Sequence, residues 1–129
     1  PGPGPGGHCI PVDPHYLAWR ARERGVETRL LDLACAINDE MPRHVLRRLG
    51  EALAARGRPG LAGLAGRRGL VLGVGYKRNL ADARESPGLR LMEMLEAAGA
   101  EAAYFDPLVP ELPRLSEHPA LAGRRSVPW

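Results

Sequence analysis

Cys9 stands in the run Gly6-Gly7-His8-Cys9-Ile10-Pro11-Val12-Asp13-Pro14, with an aspartate four residues on and alternating proline and glycine before it. A thiolate is a strong nucleophile, and helix N-termini and cationic neighbours favour it, so the run suits covalent catalysis at an electrophilic carbon. Glycines let a ligand approach the backbone closely and prolines stiffen the segment, so residues 1–7 read as a substrate cradle, with Gly6 and Gly7 offering backbone groups. His8 lies directly beside the thiol. Asp13 before Pro14 reads as a helix N-cap with proline at the first helical position, so a helix is expected to open at His15 and run through Arg24 to Gly25. The plainer alternative makes Cys9 a small hydrophobe in a tight loop and Asp13 a cap; the composition of the loop weighs against it.

The elements that must position this run follow from periodicity. Between 28 and 56, apolar residues at 30, 34, 37, 41, 45, 49 and 53 draw one stripe along a helix. Pro42 removes a backbone donor there and predicts a kink or short break near Met41, with the helix continuing to a stop at Gly57-Arg58-Pro59-Gly60. After a Gly/Ala/Leu linker over 59–66, the apolar run 70–74 reads as a buried parallel strand. A helix over 87–98 follows, with Ser86 as N-cap, Glu85 as electrostatic support and Gly99 past its end. Residues 100–105 read as a second strand ending at Asp106-Pro107. Strand, crossover helix and strand form a unit whose ligands meet the strand C-termini, here Gly75, Tyr76 and Lys77. Asp106 ends the second strand where a ribose-binding acid would lie. Yet the dinucleotide fingerprint needs three glycines in a tight turn, and Gly73 and Gly75 are followed by a polar insert instead. A lysine at 77 suits a phosphate contact made by a side chain.

The segment PGPGPGGHCIPVDPHYLAWRARERG resembles the active-site region of the nucleotide-sugar 6-dehydrogenases, the UDP-glucose/GDP-mannose dehydrogenase superfamily. The second block, GVGYKRNLADARESPGLRLMEML, resembles the same family's C-terminal nucleotide-binding domain; INDEMPRHVLRRL resembles its central helix and YFDPLVP the strand end that follows. The resemblance implies an α/β chain: a catalytic-cysteine loop and helix over 1–27, a central connecting and dimerisation helix over 28–58, and over 59–129 an incomplete Rossmann-like, parallel-sheet domain that holds UDP. It further implies NAD-dependent oxidation of a sugar C6 alcohol to a carboxylate in two steps. Cys9 would form a thiohemiacetal and then a thioester, and Asp13 would order the hydrolytic water or a neighbouring lysine. Gly6, Gly7, Tyr76 and Lys77 would contact the nucleotide-sugar, and Arg84 would reach the NAD beside Cys9. The plainer readings are a solvated Lys77 and an Arg84 paired with its acidic neighbours. The form GGHCIPVDPHYL leans toward UDP-N-acetylhexosamines, UDP-N-acetylglucosamine first, with UDP-N-acetylmannosamine or UDP-glucose as alternatives. The family's cofactor-binding first domain would precede Pro1, so the chain is expected to be a piece of a longer enzyme and inactive alone. By itself it would serve as a dimerisation and UDP-binding module. Packing of the central helix against a second copy and packing on its own domain stand level.

Composition fits that reading. With no long apolar run and no secretory signal, a cytoplasmic protein that engages no membrane is expected. A formal net charge of +3 comes from arginines scattered along helices, with little aromatic interleaving, and points away from nucleic acid. Two cysteines make no disulfide framework, and both thiols are expected reduced, Cys35 packed on its helix. His8, Cys9, His15 and Cys35 lack the clustering of a metal site.

Overall fold

The structure is a computed structural model and describes residues 2–129. Helix α1 is Cys9–Arg22, α2 is Arg29–Ala54 and α3 is Pro87–Ala97; strands β1, Arg68–Leu72, and β2, Glu101–Phe105, complete the regular elements with two short 3-10 turns. The first helix departs from expectation. It opens at Cys9 with His8 as N-cap, so Asp13 lies inside it and caps nothing. Pro11 falls in its first turn, where a missing N–H costs nothing, and that explains the earlier start. Pro14 is then carried within the helix at the cost of one intrahelical bond. The helix ends at Arg22, two residues before the expected Arg24, and Gly25 and Val26 N–H close the end by donating to the Arg22 and Ala21 carbonyls.

Helix α2 runs unbroken through Pro42, which is buried, and ends at Ala54, short of the expected 58. Proline removes the donor that would meet the Asn38 carbonyl. The cysteine loop lies over this gap: a Cβ on Gly4 would stand 3.5 Å from that oxygen. The stripe along α2 divides by neighbour. Val45, Leu49 and Leu53 face β1 across a groove of about 710 Å³ that α3 lines with Leu91 and Leu95. Leu30 and Ile37 of the stripe remain exposed, as does Leu33 beside it.

The segment expected as a linker is a 3-10 turn, Gly60–Leu64, packed on α2. Gly50 makes this possible, since a Cβ there would stand 2.8 Å from Leu61 Cγ. The two strands pair in parallel, Arg68 opposite Glu101 through Leu72 opposite Phe105, and α3 crosses between them. Ser86 caps α3 by accepting from Leu89 N–H, with Pro87 behind it, as the sequence indicated. The core is Val71, Val74, Leu89, Met92, Leu95, Tyr104, Leu112 and Leu121 with their neighbours. Expected as a strand buried on both faces, β1 covers only one: Leu70 and Leu72 are 51% and 62% exposed. In a parallel sheet each face is covered by its crossover helices, and the single crossover here covers one.

Candidate functional site

Cys9 is exposed and is the first residue of α1, at the helix N-terminus. His8 and Asp13 flank it, with His8 Nδ1 3.7 Å from Asp13 Oδ1 and both side chains largely in solvent. The helix turn thus returns the aspartate to the same end of α1 as the thiol.

The loop before Cys9 is seated on the C-terminal unit. Gly7 N–H donates to the Arg84 carbonyl at 3.0 Å. Gly7 has φ +81°, and a Cβ there would meet the Tyr76 ring at 2.6 Å; one on Gly6 would meet Tyr76 Cβ at 2.7 Å and the Glu85 carbonyl at 2.8 Å. Two glycines are therefore required, because the Tyr76 ring occupies the space of a side chain at position 7 and Tyr76 Cβ with the Glu85 carbonyl that of a side chain at position 6. Sequence reasoning assigns these glycines to the sugar; here their bare faces lie against Tyr76. Glu85, whose carbonyl approaches Gly6, itself sits at φ +49°, a conformation costly for a side chain with a Cβ.

The tip after β1 is organised by two aspartates. Asp82 accepts Tyr76 N–H on its backbone carbonyl at 3.0 Å. Its carboxylate takes Arg84 N–H at 3.0 Å and the Arg84 guanidinium at 2.7 to 3.1 Å. The guanidinium and N–H of Arg84 hold the Asp82 carboxyl below the usual aspartate range against slight desolvation. Arg84 remains largely exposed, as does Lys77. Asp106 is buried, and each of its oxygens takes two backbone donors: Val74 and Gly75 N–H reach Oδ2 at 2.9 and 3.0 Å, Leu108 and Val109 N–H reach Oδ1 at 2.9 and 3.2 Å. Burial pushes this carboxyl up, but the four N–H groups outweigh it and hold it below the ordinary value. With four donors on two oxygens the carboxylate is saturated, so no lone pair is left for a ribose hydroxyl.

The structure thus gathers Gly6, Gly7, Tyr76 and Arg84 into one contact, with Cys9 two residues from Gly7 and Lys77 next to Tyr76. Sequence reasoning missed the clamp made by Asp106. Its local half is legible, because an aspartate before proline commonly accepts from N–H groups two and three residues on. Its other half reaches back 32 residues and leaves no mark in the sequence.

A dinucleotide finds no complete cradle among the described residues. Gly73 and Gly75 lack a third glycine in the turn that follows them, and Asp106 is saturated. The Arg84 guanidinium is exposed but already paired with Asp82. Both cysteines are free, and among the described residues no cluster of three His, Cys, Asp or Glu could hold a metal. No described helix is long and apolar enough to cross a membrane.

Residues 70–126 match the UDP binding domain of the UDP-glucose/GDP-mannose dehydrogenase family, and residues 1–40 match that family's central domain. The chain is 38% identical to a UDP-N-acetyl-D-mannosamine dehydrogenase of Pyrococcus horikoshii over 84% of its own length and 24% of the relative's. It is 34% identical to a UDP-glucose 6-dehydrogenase of Rhizobium meliloti over 82% and 23%. Among solved structures, a UDP-glucose dehydrogenase from Pyrobaculum islandicum superposes with a TM-score of 0.73 at 33% identity, covering 82% of this chain and 23% of that one. The chain therefore spans about a quarter of the length of the relatives it matches. Two separate blocks in one order, on matching coordinates, place this chain in the UDP-glucose/GDP-mannose dehydrogenase family.

Proposed function

We propose that this chain is the thiol-bearing and UDP-binding part of an NAD-dependent UDP-sugar 6-dehydrogenase acting on a UDP-N-acetylhexosamine. The observation that carries the reading is the seating of the Gly6-Gly7 backbone on Tyr76 and the Arg84 carbonyl. It brings the segment of the thiol beside the segment of Lys77, so one ligand could reach both. Relatives are named for UDP-N-acetyl-D-mannosamine and for UDP-glucose, which supports a UDP-sugar and leaves the hexosamine to the loop GGHCIPVDPHYL.

The roles follow from the chemistry of each group. Lys77, exposed at the strand tip, offers a point charge to the diphosphate, and Tyr76 supports the nucleotide-sugar beside it. Cys9 sulfur adds to the C6 aldehyde carbon, the carbonyl oxygen taking a proton, and the thiohemiacetal so formed carries the hydrogen that an aldehyde cannot give up as an alcohol would. NAD, when bound, would supply the acceptor for the hydride at each oxidation; at the second, the thiohemiacetal carbon gives up its hydride and its hydroxyl a proton to solvent, leaving the Cys9 thioester. Water then attacks the thioester carbon, the C–S bond breaks, and the carboxylate leaves while the thiol is restored. Asp13, drawn to the thiol end of α1, is the group that orders this water. Arg84 contributes a cofactor contact and no more, so the chain alone does not reduce NAD.

In a catalytically complete enzyme carrying this segment, Cys9→Ser abolishes formation of the acid and leaves UDP-sugar affinity within about twofold. Steady-state turnover and calorimetric titration with the UDP-sugar measure the two. An unchanged rate of acid formation removes the thiol from the mechanism.

A further inference from the structure

We propose that Asp106 is a positioning residue that fixes the Tyr76-Lys77 tip, and through Tyr76 the seat of the cysteine loop; this rests on the reading of Lys77 as a phosphate contact. A pair of parallel strands normally ends in loops whose N–H groups turn to water. Here one buried carboxylate at the end of β2 takes both N–H groups that lead out of β1, Val74 and Gly75, and both that lead out of β2, Leu108 and Val109. The next residue after Gly75 is Tyr76, whose ring fills the space beside Gly7 and whose Cβ lies against Gly6. Asp106 is held in turn, since its own N–H donates to Ser126 Oγ at 3.0 Å. The β2 end is therefore joined without a gap to the tip and from there to the loop two residues before Cys9. The space around Gly75 is equally tight, a Cβ there standing 2.9 Å from the Leu80 carbonyl, so the tip has one path out of the sheet.

Asparagine at 106 keeps one oxygen but turns an NH2 donor toward two N–H donors, which releases one side of the clamp. The 129-residue chain is titrated calorimetrically with UDP as Asp106→Asn, as Lys77→Ala and as the double variant, and amide exchange is followed by NMR. Asp106→Asn weakens UDP about tenfold, speeds exchange at Val74 and Gly75, and leaves Met92 and Tyr104 in the core as protected as before. In the Lys77→Ala background the same change costs under about twofold, since it acts through the lysine it positions. An undiminished tenfold loss in that background, or a loss accompanied by equal exposure of Met92 and Tyr104, overturns the proposal and leaves Asp106 a purely structural group. Should Asp106→Asn fail to fold, Asp106→Ser, which keeps a small acceptor, is held to the same inequality. Absence of UDP binding by the unmodified chain refutes the phosphate reading of Lys77, while exchange at Val74 and Gly75 still decides the clamp.

Discussion

The backbone of Gly7 carries two demands that a substitution separates. Its φ of +81° alone costs a residue with a Cβ about 1 kcal/mol, and the 2.6 Å approach to the Tyr76 ring adds a contact that aromatic atoms cannot yield to. Gly66 shares the conformation, at φ +70°, but faces open space. Gly7→Ala should therefore destabilise by about 2 kcal/mol or more in urea unfolding and Gly66→Ala by about 1; equal losses would mean that Tyr76 does not hold the loop. Asp106 makes a second residue-level prediction. Its folded-state pKa is depressed, so its contribution is fully present above the unfolded aspartate value of about 3.9 and is lost as pH falls through the lower folded value. Asp82, depressed by Arg84, adds in the same direction. Urea midpoints taken from about pH 5 to about pH 2 should fall for the unmodified chain and fall less steeply for Asp106→Asn. Parallel slopes for the two would remove the carboxylate from the clamp.

At the scale of elements, α2 shows where a local rule loses to packing. Gly50 in a helix interior forgoes about 1 kcal/mol relative to alanine, yet a Cβ there would press on Leu61 at 2.8 Å. The propensity gain and the clash oppose each other; Leu61 is 41% exposed, but its Cγ lies one bond from its Cβ and its backbone nitrogen stands 3.4 Å from the same point, so a rotamer change alone does not clear the space and the clash wins. Gly50→Ala should destabilise by about 1 kcal/mol, and adding Leu61→Ala should recover part of the helical gain; a stabilised single variant contradicts the packing. The same balance explains what the sequence disclosed. Ser86 with Pro87 fixed the start of α3 because capping is local, and the two strands were legible as short apolar runs between glycines. The start of α1 was misread because Pro11 and Pro14 both invite a first turn and only Pro11 received it. The unbroken passage of α2 through Pro42 was misread because the loop at Gly4 that lies on the freed carbonyl is distant in sequence. Cys9, Asp13, Lys77 and Arg84 could be named from motifs; the seating of Gly6 and Gly7 on Tyr76 and the reach of Asp106 to Val74 could not, since both depend on contacts between remote segments.

In the whole molecule, the two N-terminal helices leave apolar side chains uncovered. Leu30, Leu33 and Ile37 recur at helical spacing on α2 and are 81%, 58% and 57% exposed, while Tyr16, Leu17 and Trp19 on α1 expose half or more of their surface. Along the C-terminal half of α2 the charged side chains satisfy one another within the helix, Arg43 with Glu40 and Arg47 and Arg48 with Glu51, so they neither cover this face nor seek a partner of opposite charge. A stripe of this kind is stable in water only when covered, and the family resemblance proposes a second copy of the same helix as the cover. The 129-residue chain should then sediment as a dimer at about 100 μM, burying the stripe of each copy against the other as a symmetric interface would. Leu30→Glu combined with Ile37→Glu should convert it to a monomer, because each carboxylate would be desolvated against the partner's apolar side chains. Helicity should stay unchanged, since both positions lie in solvent within one copy, and UDP affinity should stay within about twofold, since Lys77 and Asp106 belong to the other unit. A monomeric unmodified chain at that concentration, or a double variant that still dimerises, would assign the stripe to something other than self-association.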